Sequence, residues 1–386
     1  MDIYQIKTLN KISSYGLEKF GEDYNISDNI EAPAGIVLRS ASMHEMQLPG
    51  SLLCIARAGA GVNNIPVERC AEQGIVVFNT PGANANAVKE LAITSMLISS
   101  RKIVDGVNWA KSLTGDDVLK QVEKGKAQFI GPEIEGKTLG VLGLGAIGVM
   151  VANAAVNLGM EVLGYDPFIS VDAAWGLSRA VKKANDLKTV FEKADYITLH
   201  MPYNNNTKGI LNADAFSQMK DSVRVINLSR GELVNDTDII AALQEGKVGA
   251  YVTDFPNEKL ITIDSVITIP HLGASTPESE DKCAVMAVKQ MKEFLEQGNI
   301  RNSVNYPNCE MPRASGYRIT VAHKNIPNML GQISTALAGE KMNIVEMINK
   351  SRGDYAYTII DVESNIGENV LDKIISIEGV LRVRSL

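Results

Sequence analysis

The sequence predicts an α/β protein with two parallel-sheet domains, one inserted into the other, followed by a small α+β unit. Three observations predict this. First, Gly143-Leu144-Gly145-Ala146-Ile147-Gly148 lies between an apolar run, Leu139–Leu142, and a small-residue helical stretch, Val149–Leu158. Second, short runs rich in branched residues recur from Gly35 to Ile269 with helical stretches between them, the pattern of parallel strands buried on both faces. Third, residues 317–386 change rhythm to strand, helix, strand, strand, helix, strand. A chain of 386 residues is also too long for one core.

The Gly143–Gly148 stretch organises the rest. Gly143 permits a tight turn, Gly145 lets backbone approach a pyrophosphate, and Gly148 lets helix and strand pack closely. Ala146 and Ile147 join the glycines as cofactor-binding candidates, and the helix that follows offers free N–H groups and a positive dipole end that suit phosphate. A second strand, Glu161–Tyr165, ends at Asp166, about 20 residues past the glycines, where an acid binds the adenosine ribose. A carboxylate there repels a 2′-phosphate, and Pro167-Phe168 rather than Arg follows it. The expected cofactor is therefore NAD rather than NADP.

Bulk composition narrows the function class. Residues are 45% hydrophobic and 22% charged, with a net charge of −7. That is ordinary globular composition, and it argues against nucleic acid or an anionic membrane as partner. No apolar run is long enough to span a membrane, and Met1-Asp2-Ile3-Tyr4 lacks the form of a signal peptide. Cys54, Cys70, Cys283 and Cys309 are scattered without a C-x-x-C, which suits unpaired thiols in a reducing cytoplasm and no metal site.

In the first domain Gly35–Leu38, Leu52–Ala56 and Ile75–Phe78 read as parallel strands. They end in Arg39-Ser40, in Arg57-Ala58-Gly59-Ala60-Gly61 and in Asn79-Thr80-Pro81. Ligands of open α/β sheets bind at carboxyl strand ends, where two guanidinium groups and a glycine turn would make an anion site. Singly, each arginine is as well explained as a solvated surface charge. Residues 84–104 read as a helix capped by Asn84 or Asn86. Gly131–Thr138 matches the phosphate-loop pattern G-x-x-x-x-G-K-[ST], but it precedes a strand instead of following one, so the match reads as coincidental.

Four further runs follow Asp166: Tyr196–Leu199, Val223–Ile226, Gly249–Val252 and Val266–Ile269. With the first two they make the six strands of a doubly wound dinucleotide fold. Residues 276–297 read as an amphipathic helix returning to the first domain, with Ala284, Val285, Val288, Met291, Phe294 and Leu295 on one face and Gly298 as its stop. The expected boundaries are 1–87 with 281–301 for a substrate domain, 88–280 for the dinucleotide domain, 302–316 for a linker, and 317–386 for the last unit.

Three polar groups lie just beyond strand ends in the dinucleotide domain: Arg230, Glu258 and His271. Hydride transfer from a 2-hydroxy acid needs a cation for the carboxylate, a base for the hydroxyl proton, and a carboxylate to orient that base. One of each is present. His200 ends a strand too, and spacing alone leaves it a rival to His271. His44 lies in a polar stretch and reads as surface.

These motifs resemble the D-2-hydroxyacid dehydrogenase family. The resemblance is carried by Gly143–Gly148, Tyr165-Asp166-Pro167, Asn227-Leu228-Ser229-Arg230-Gly231, Phe255-Pro256-Asn257-Glu258 and Pro270-His271-Leu272-Gly273-Ala274-Ser275-Thr276, in order. It implies a Rossmann-type NAD domain with a flavodoxin-like substrate domain. It implies that Arg230, Glu258 and His271 are catalytic, with His271 as acid/base, and that Arg39, Ser40, Arg57, Gly59, Gly61 and Arg230 meet the substrate. It also implies cofactor contacts at Thr80, Met201, Leu228, Gly273 and Ala274. The family usually carries Asp two residues before the Phe; Thr253 stands there in this chain, and Asp254 follows it as the nicotinamide-side candidate.

Residues 317–386 resemble an ACT domain, a βαββαβ module that pairs with a second copy and binds amino acids. His323, Asn325 and Asn343 match its effector-contacting positions, although turn chemistry alone would explain both asparagines. Asn328 replaces the glycine usual after the Pro. A dehydrogenase body followed directly by an ACT unit implies NAD-dependent oxidation of D-3-phosphoglycerate, the first step of L-serine biosynthesis, in a cytoplasmic homo-oligomer (dimer or tetramer) with L-serine as a possible effector. The alternatives are a relative acting on glyoxylate, hydroxypyruvate or D-lactate, or a NAD-responsive binding protein without catalysis.

Overall fold

The computed structural model describes residues 3–386; Met1 and Asp2, which the sequence reading weighed as the start of a signal peptide, lie outside the described residues. Contacts divide the chain into two units, one running to Asn84 and resuming at Pro277, the other spanning Ala85–Thr276.

The first unit begins with a five-stranded parallel sheet of order β2-β1-β3-β4-β5. Its strands are β1 (Tyr4–Leu9), β2 (Tyr24–Ser27), β3 (Gly35–Leu38), β4 (Cys54–Arg57) and β5 (Val76–Phe78). This is the flavodoxin-like strand order. The last three match the apolar runs. β1 and β2 carry no such run: Tyr4-Gln5-Ile6-Lys7 alternates, and of the six residues of β1 only Ile6 is buried. The long helix Pro277–Gln297 packs on this sheet and buries Ala284, Ala287, Val288, Met291, Phe294 and Leu295. Each of the larger side chains contributes about 2 kcal/mol by leaving water.

The second unit holds a seven-stranded parallel sheet of order β12-β11-β10-β9-β6-β7-β8. The strands are β6 (Thr138–Leu142), β7 (Glu161–Tyr165), β8 (Lys182–Lys183), β9 (Tyr196–Leu199), β10 (Val223–Asn227), β11 (Val248–Thr253) and β12 (Val266–Thr268). The winding reverses between β6 and β9, the switch point of a doubly wound sheet. The seventh strand, β8, is two exposed lysines, which no apolar pattern could announce. One core, with Ala92, Met96, Val151 and Ala155, covers one face; another, with Val190, Phe191, Phe216 and Ile239, covers the opposite one. Gly131–Thr138 runs through a turn into β6 and opens no helix.

The chain after Gln297 belongs to the first unit. Residues 302–316, expected as a linker, are packed: Tyr306 and Met311 are buried, the Tyr306 hydroxyl donates to the Ala71 carbonyl, and Asn305 bonds Val77 N–H and the Ile75 carbonyl. Then come β13 (Tyr317–Lys324), β14 (Ile344–Arg352), β15 (Tyr355–Val362) and β16 (Val380–Ser385), an antiparallel sheet of order β14-β15-β13-β16. Helices Met329–Gly339 and Glu368–Ile375 complete a βαββαβ unit and share a core with Ile319, Val321, Ile360 and Val362. Ala322, Tyr357 and Ile359 join the core of the first sheet, with Phe294 and Tyr306. Arg318 is fully buried, forks onto both Asp361 oxygens at 2.6 and 2.9 Å, and donates to the Gln297, Met311 and Pro312 carbonyls. With Arg384, which donates to Phe294 and Leu295, it caps the C-terminus of the long helix.

Among the described residues, no helix is long and apolar enough to cross a membrane, and no cluster of side chains could hold a metal ion.

Candidate active site

The glycine turn after β6 has the geometry that its spacing predicts. Gly143 has φ +95°, and a β-carbon there would lie 2.5 Å from the His200 carbonyl oxygen. A β-carbon on Gly148 would lie 1.9 Å from the Gly143 carbonyl oxygen. Gly145 is different. Its φ is −73°, and a β-carbon would meet nothing within 4 Å. Neither backbone nor packing demands glycine there. What a side chain would fill is the open space before the helix Ala146–Asn157, where a pyrophosphate is received by free N–H groups. Asp166 accepts from Leu144 N–H at 2.8 Å and from Phe168 N–H at 2.8 Å, which ties it to the turn. A carboxylate has about four acceptor positions, so capacity for ribose hydroxyls remains. The turn, the helix end and the acid fit NAD.

The carboxyl ends of β10, β11 and β12, three adjacent strands, carry the other candidates. After β10, the buried Asn227 donates to the Arg230 carbonyl at 2.8 Å, and the Ser229 hydroxyl donates to Leu199 at 2.6 Å. Their bonds hold the turn, and the Arg230 guanidinium is exposed, donating to Ser229 at 2.6 Å. After β12, His271 has φ +47°, a left-handed conformation that costs a non-glycine residue about 1–2 kcal/mol. Its backbone N–H bonds to Ile269 at 2.9 Å and Asp254 at 3.1 Å, and its ring stands edge-on to Phe255 at 5.0 Å.

Glu258 does not make the expected contact. It is exposed in a turn that Asn257 organises by accepting from Lys259 and Leu260, and no hydrogen bond or ion pair joins it to His271. The carboxylate near both His271 and Arg230 is Asp254, which is only 1% exposed. Burial pushes its pKa above the ordinary value, while the charges of His271 and Arg230 and the Gly273 N–H pull the other way. Its Oδ2 accepts from Gly273 N–H at 3.2 Å; its Oδ1 is buried without a partner. Thr253, buried beside it, accepts from Phe255 N–H at 3.2 Å.

His200, the rival base, is placed differently. Its Nε2 bonds Thr198 Oγ1 at 2.9 Å, and Nδ1 is buried without a partner. Burial lowers its pKa to about 4. Leu228 is buried beside the Arg230 turn, Met201 is half-buried after β9, and Ala274 follows Gly273 in the turn leading to the long helix. His44 is exposed, with its ring on the Asn63 carbonyl.

In the first unit Arg39, Ser40 and Arg57 stand at the ends of β3 and β4. Arg57 donates through Nε to the Arg39 carbonyl at 2.9 Å and through another nitrogen to Gly61. Gly59 accepts from Thr80 N–H at 3.1 Å, and the buried Thr80 hydroxyl makes no hydrogen bond. Two residues that pattern reasoning missed organise this edge: Asn10 accepts from Ala41 N–H at 2.9 Å, and Asn64 donates to the Arg39 and Ala41 carbonyls. A third, Glu280 on the long helix, forms an ion pair with the Arg39 guanidinium. All three partnerships join residues far apart in the chain, and no local signal marks them.

In the C-terminal sheet His323 is buried, with Nδ1 on the Lys324 carbonyl at 2.8 Å and Nε2 on Thr358 Oγ1 at 2.9 Å. Asn325 donates to Gly353 at 3.0 Å, and Asn343 is exposed. No hydrogen bond links the three.

Residues 93–273 match the family model described as D-isomer specific 2-hydroxyacid dehydrogenase, NAD binding domain. This chain thus carries the NAD-binding domain of that family over these residues, and its cofactor is NAD. Among curated proteins it is similar to the D-3-phosphoglycerate dehydrogenase of Methanocaldococcus jannaschii, 35% identical over 303 residues, covering 77% of this chain and 55% of that one. It is similar also to the D-3-phosphoglycerate dehydrogenase of Synechocystis, 35% identical over 316 residues, 80% of this chain and 55% of the relative. The chain thus spans little more than half the length of these curated relatives. A solved structure of NAD+-bound 3-phosphoglycerate dehydrogenase from Entamoeba histolytica is 25% identical, covers 78% of this chain and 98% of its own, and aligns with a TM-score of 0.61. Rhodotorula graminis D-mandelate dehydrogenase, at 21% identity and a TM-score of 0.68 over 80% of this chain and 99% of its own, shares the fold.

Proposed function

We propose that this protein oxidises D-3-phosphoglycerate to 3-phosphohydroxypyruvate with NAD, the first step of L-serine biosynthesis. The observation that carries the reading is the grouping of an exposed imidazole, His271, and an exposed guanidinium, Arg230, around the buried carboxylate of Asp254, at adjacent strand ends of an NAD-binding domain. Arg230 holds the substrate carboxylate as a fork. His271 accepts the hydroxyl proton as hydride leaves C2. Bound NAD supplies the hydride acceptor. Glu258 is the carboxylate that orients the imidazole in this reading; in the structure it is exposed and makes no hydrogen bond to His271. The poverty of His200 as a base, half-buried with its Nδ1 shut off from solvent and with a pKa of about 4, favours His271. The backbone of the Gly59–Gly61 turn assists with the carboxylate. Arg39, Ser40 and Arg57 supply the phosphate subsite, and Thr80, Met201, Leu228, Asp254, Gly273 and Ala274 complete the cofactor set.

The name shared by the curated relatives supports this substrate. A second reading has one observation in its favour: Glu280 neutralises Arg39, which would suit an unphosphorylated 2-hydroxy acid. Comparing kcat/KM for D-3-phosphoglycerate, D-glycerate and D-lactate separates the two. The phosphorylated substrate should lead clearly; a lead for either unphosphorylated acid would select the second reading.

The βαββαβ unit acts as an ACT regulatory domain binding L-serine through Asn325, Asn343 and His323. The protein functions in the cytoplasm as a homo-oligomer. Supporting this, helices Ile103–Ser112 and Val118–Gly125 bury none of their residues and expose Ile103, Val107 and Leu119.

A further inference from the structure

We propose that Asp254 is a positioning residue that clamps the His271 turn from both sides and holds the imidazole in its working direction. The inference rests on the dehydrogenase reading above and deepens it. β11 and β12 run parallel, with Thr253 opposite Thr268 at the end of the ladder. Asp254 is therefore the first residue past β11, and residues 269–273 leave β12 alongside it. Ile269 N–H bonds to the Thr253 carbonyl at 2.9 Å. His271 N–H bonds to the Asp254 carbonyl at 3.1 Å, and Gly273 N–H to the Asp254 carboxylate at 3.2 Å. One residue thus takes the N–H before and the N–H after Leu272.

Between those anchors His271 holds φ +47°. A side-chain-bearing residue keeps such a conformation only where its surroundings over-determine it. The two bonds to Asp254 do so together with the His271 N–H bond to the Ile269 carbonyl at 2.9 Å, and Phe255 closes another side, its ring centroid 5.0 Å from that of the imidazole. Gly273 suits the same arrangement: a β-carbon there would lie 3.2 Å from Asp254 Oδ2 and push the carboxylate away from the N–H that it accepts.

The chemistry of the clamp is informative too. A 1% exposed carboxylate with one oxygen unpartnered is a costly way to hold one N–H, since a hydroxyl or amide would do so without burying charge. The charge is kept where it faces His271 and Arg230. Thr253 cannot substitute, because its hydroxyl is committed to Phe255 N–H.

The test uses the full-length enzyme. Asp254→Ala removes the side-chain acceptor and the charge and leaves the backbone carbonyl on His271 N–H; Asp254→Asn keeps an acceptor oxygen for Gly273. A misplaced base costs about a hundredfold in kcat, so Asp254→Ala should lose about that much in turnover at saturating NAD. Asp254→Asn should recover about tenfold of the loss. Gly273→Ala should slow the wild-type enzyme but add little to Asp254→Ala, since the carboxylate that it displaces is already gone. Amide exchange at Gly273, whose acceptor is lost, should accelerate in Asp254→Ala. Unchanged kcat in Asp254→Ala, or a Gly273→Ala cost that adds in full to it, overturns the clamp. If Asp254→Ala does not fold, unchanged kcat and exchange in both Asp254→Asn and Gly273→Ala overturns it as well. A wild-type protein that turns over no 2-hydroxy acid removes the dehydrogenase reading instead, and the exchange measurement then decides on the clamp alone.

Discussion

His200 illustrates how burial decides the role of a single residue. Its backbone lies against the glycine turn, and removal of its ring from solvent disfavours the charged form, so its pKa falls to about 4. In the unfolded chain it would titrate near the ordinary value of 6.5. Between these values the unfolded state takes up a proton that the native state refuses. Stability is therefore lost as pH falls from about 6.5 to about 4, by up to about 3 kcal/mol. Denaturant midpoints across that range should show the slope, and His200→Asn should flatten it; an unchanged slope would assign it to other groups. Arg39 shows the opposite situation, a partly exposed cation with a carboxylate on it. Such pairs are worth about 0–1 kcal/mol. Glu280→Gln should free the guanidinium and lower KM for D-3-phosphoglycerate by about 2–5-fold, with little change for D-lactate. A raised KM would place Glu280 as a support for Arg39 rather than a competitor.

At the scale of elements, what was legible in the sequence follows from how locally each element is specified. Gly143, Gly145 and Gly148 are constrained within one turn, and the strand–turn–helix around them could be recognised from spacing alone. β3, β4 and β5 are buried runs and equally plain. β1 and β2 were missed because they alternate, and β8 because Lys182-Lys183 has no pattern at all. Residues 302–316 carry the prolines and asparagines of a linker, yet Tyr306 and Asn305 find partners around β5, far back in the chain. The site divides the same way. His271 and Arg230 stand out as strand-end residues, whereas the Asp254–Gly273 bond and the Arg39–Glu280 pair are products of folding. Arg318 belongs with these, since a lone Arg in an apolar strand announces nothing. Arg318→Met would leave Asp361 buried and unpaired, with a loss of about 3–5 kcal/mol in equilibrium unfolding. A loss below 1 kcal/mol would mean that the pair contributes little beyond its own desolvation.

For the whole molecule, the C-terminal sheet is not an appendage. Its Tyr357 and Ile359 lie in the core with Phe294, and Arg318 and Arg384 hold the carbonyl end of the long helix. That helix begins directly after the segment that carries His271 and Gly273 in the chain. Deleting the sheet would expose the shared core, so point changes make the cleaner test. Asn325→Ala and Asn343→Ala should weaken inhibition by L-serine while leaving uninhibited turnover intact. Equal inhibition of the variants and the wild type would remove these residues from effector binding.

The central claim is that His271 takes the substrate proton beside NAD. It is tested most directly by His271→Ala, assayed for NADH formation from D-3-phosphoglycerate and, separately, for NAD binding. The account predicts a loss of about 10²–10⁴-fold in kcat with NAD affinity retained. A variant that turns over as fast as the wild type would contradict it and leave the base unassigned.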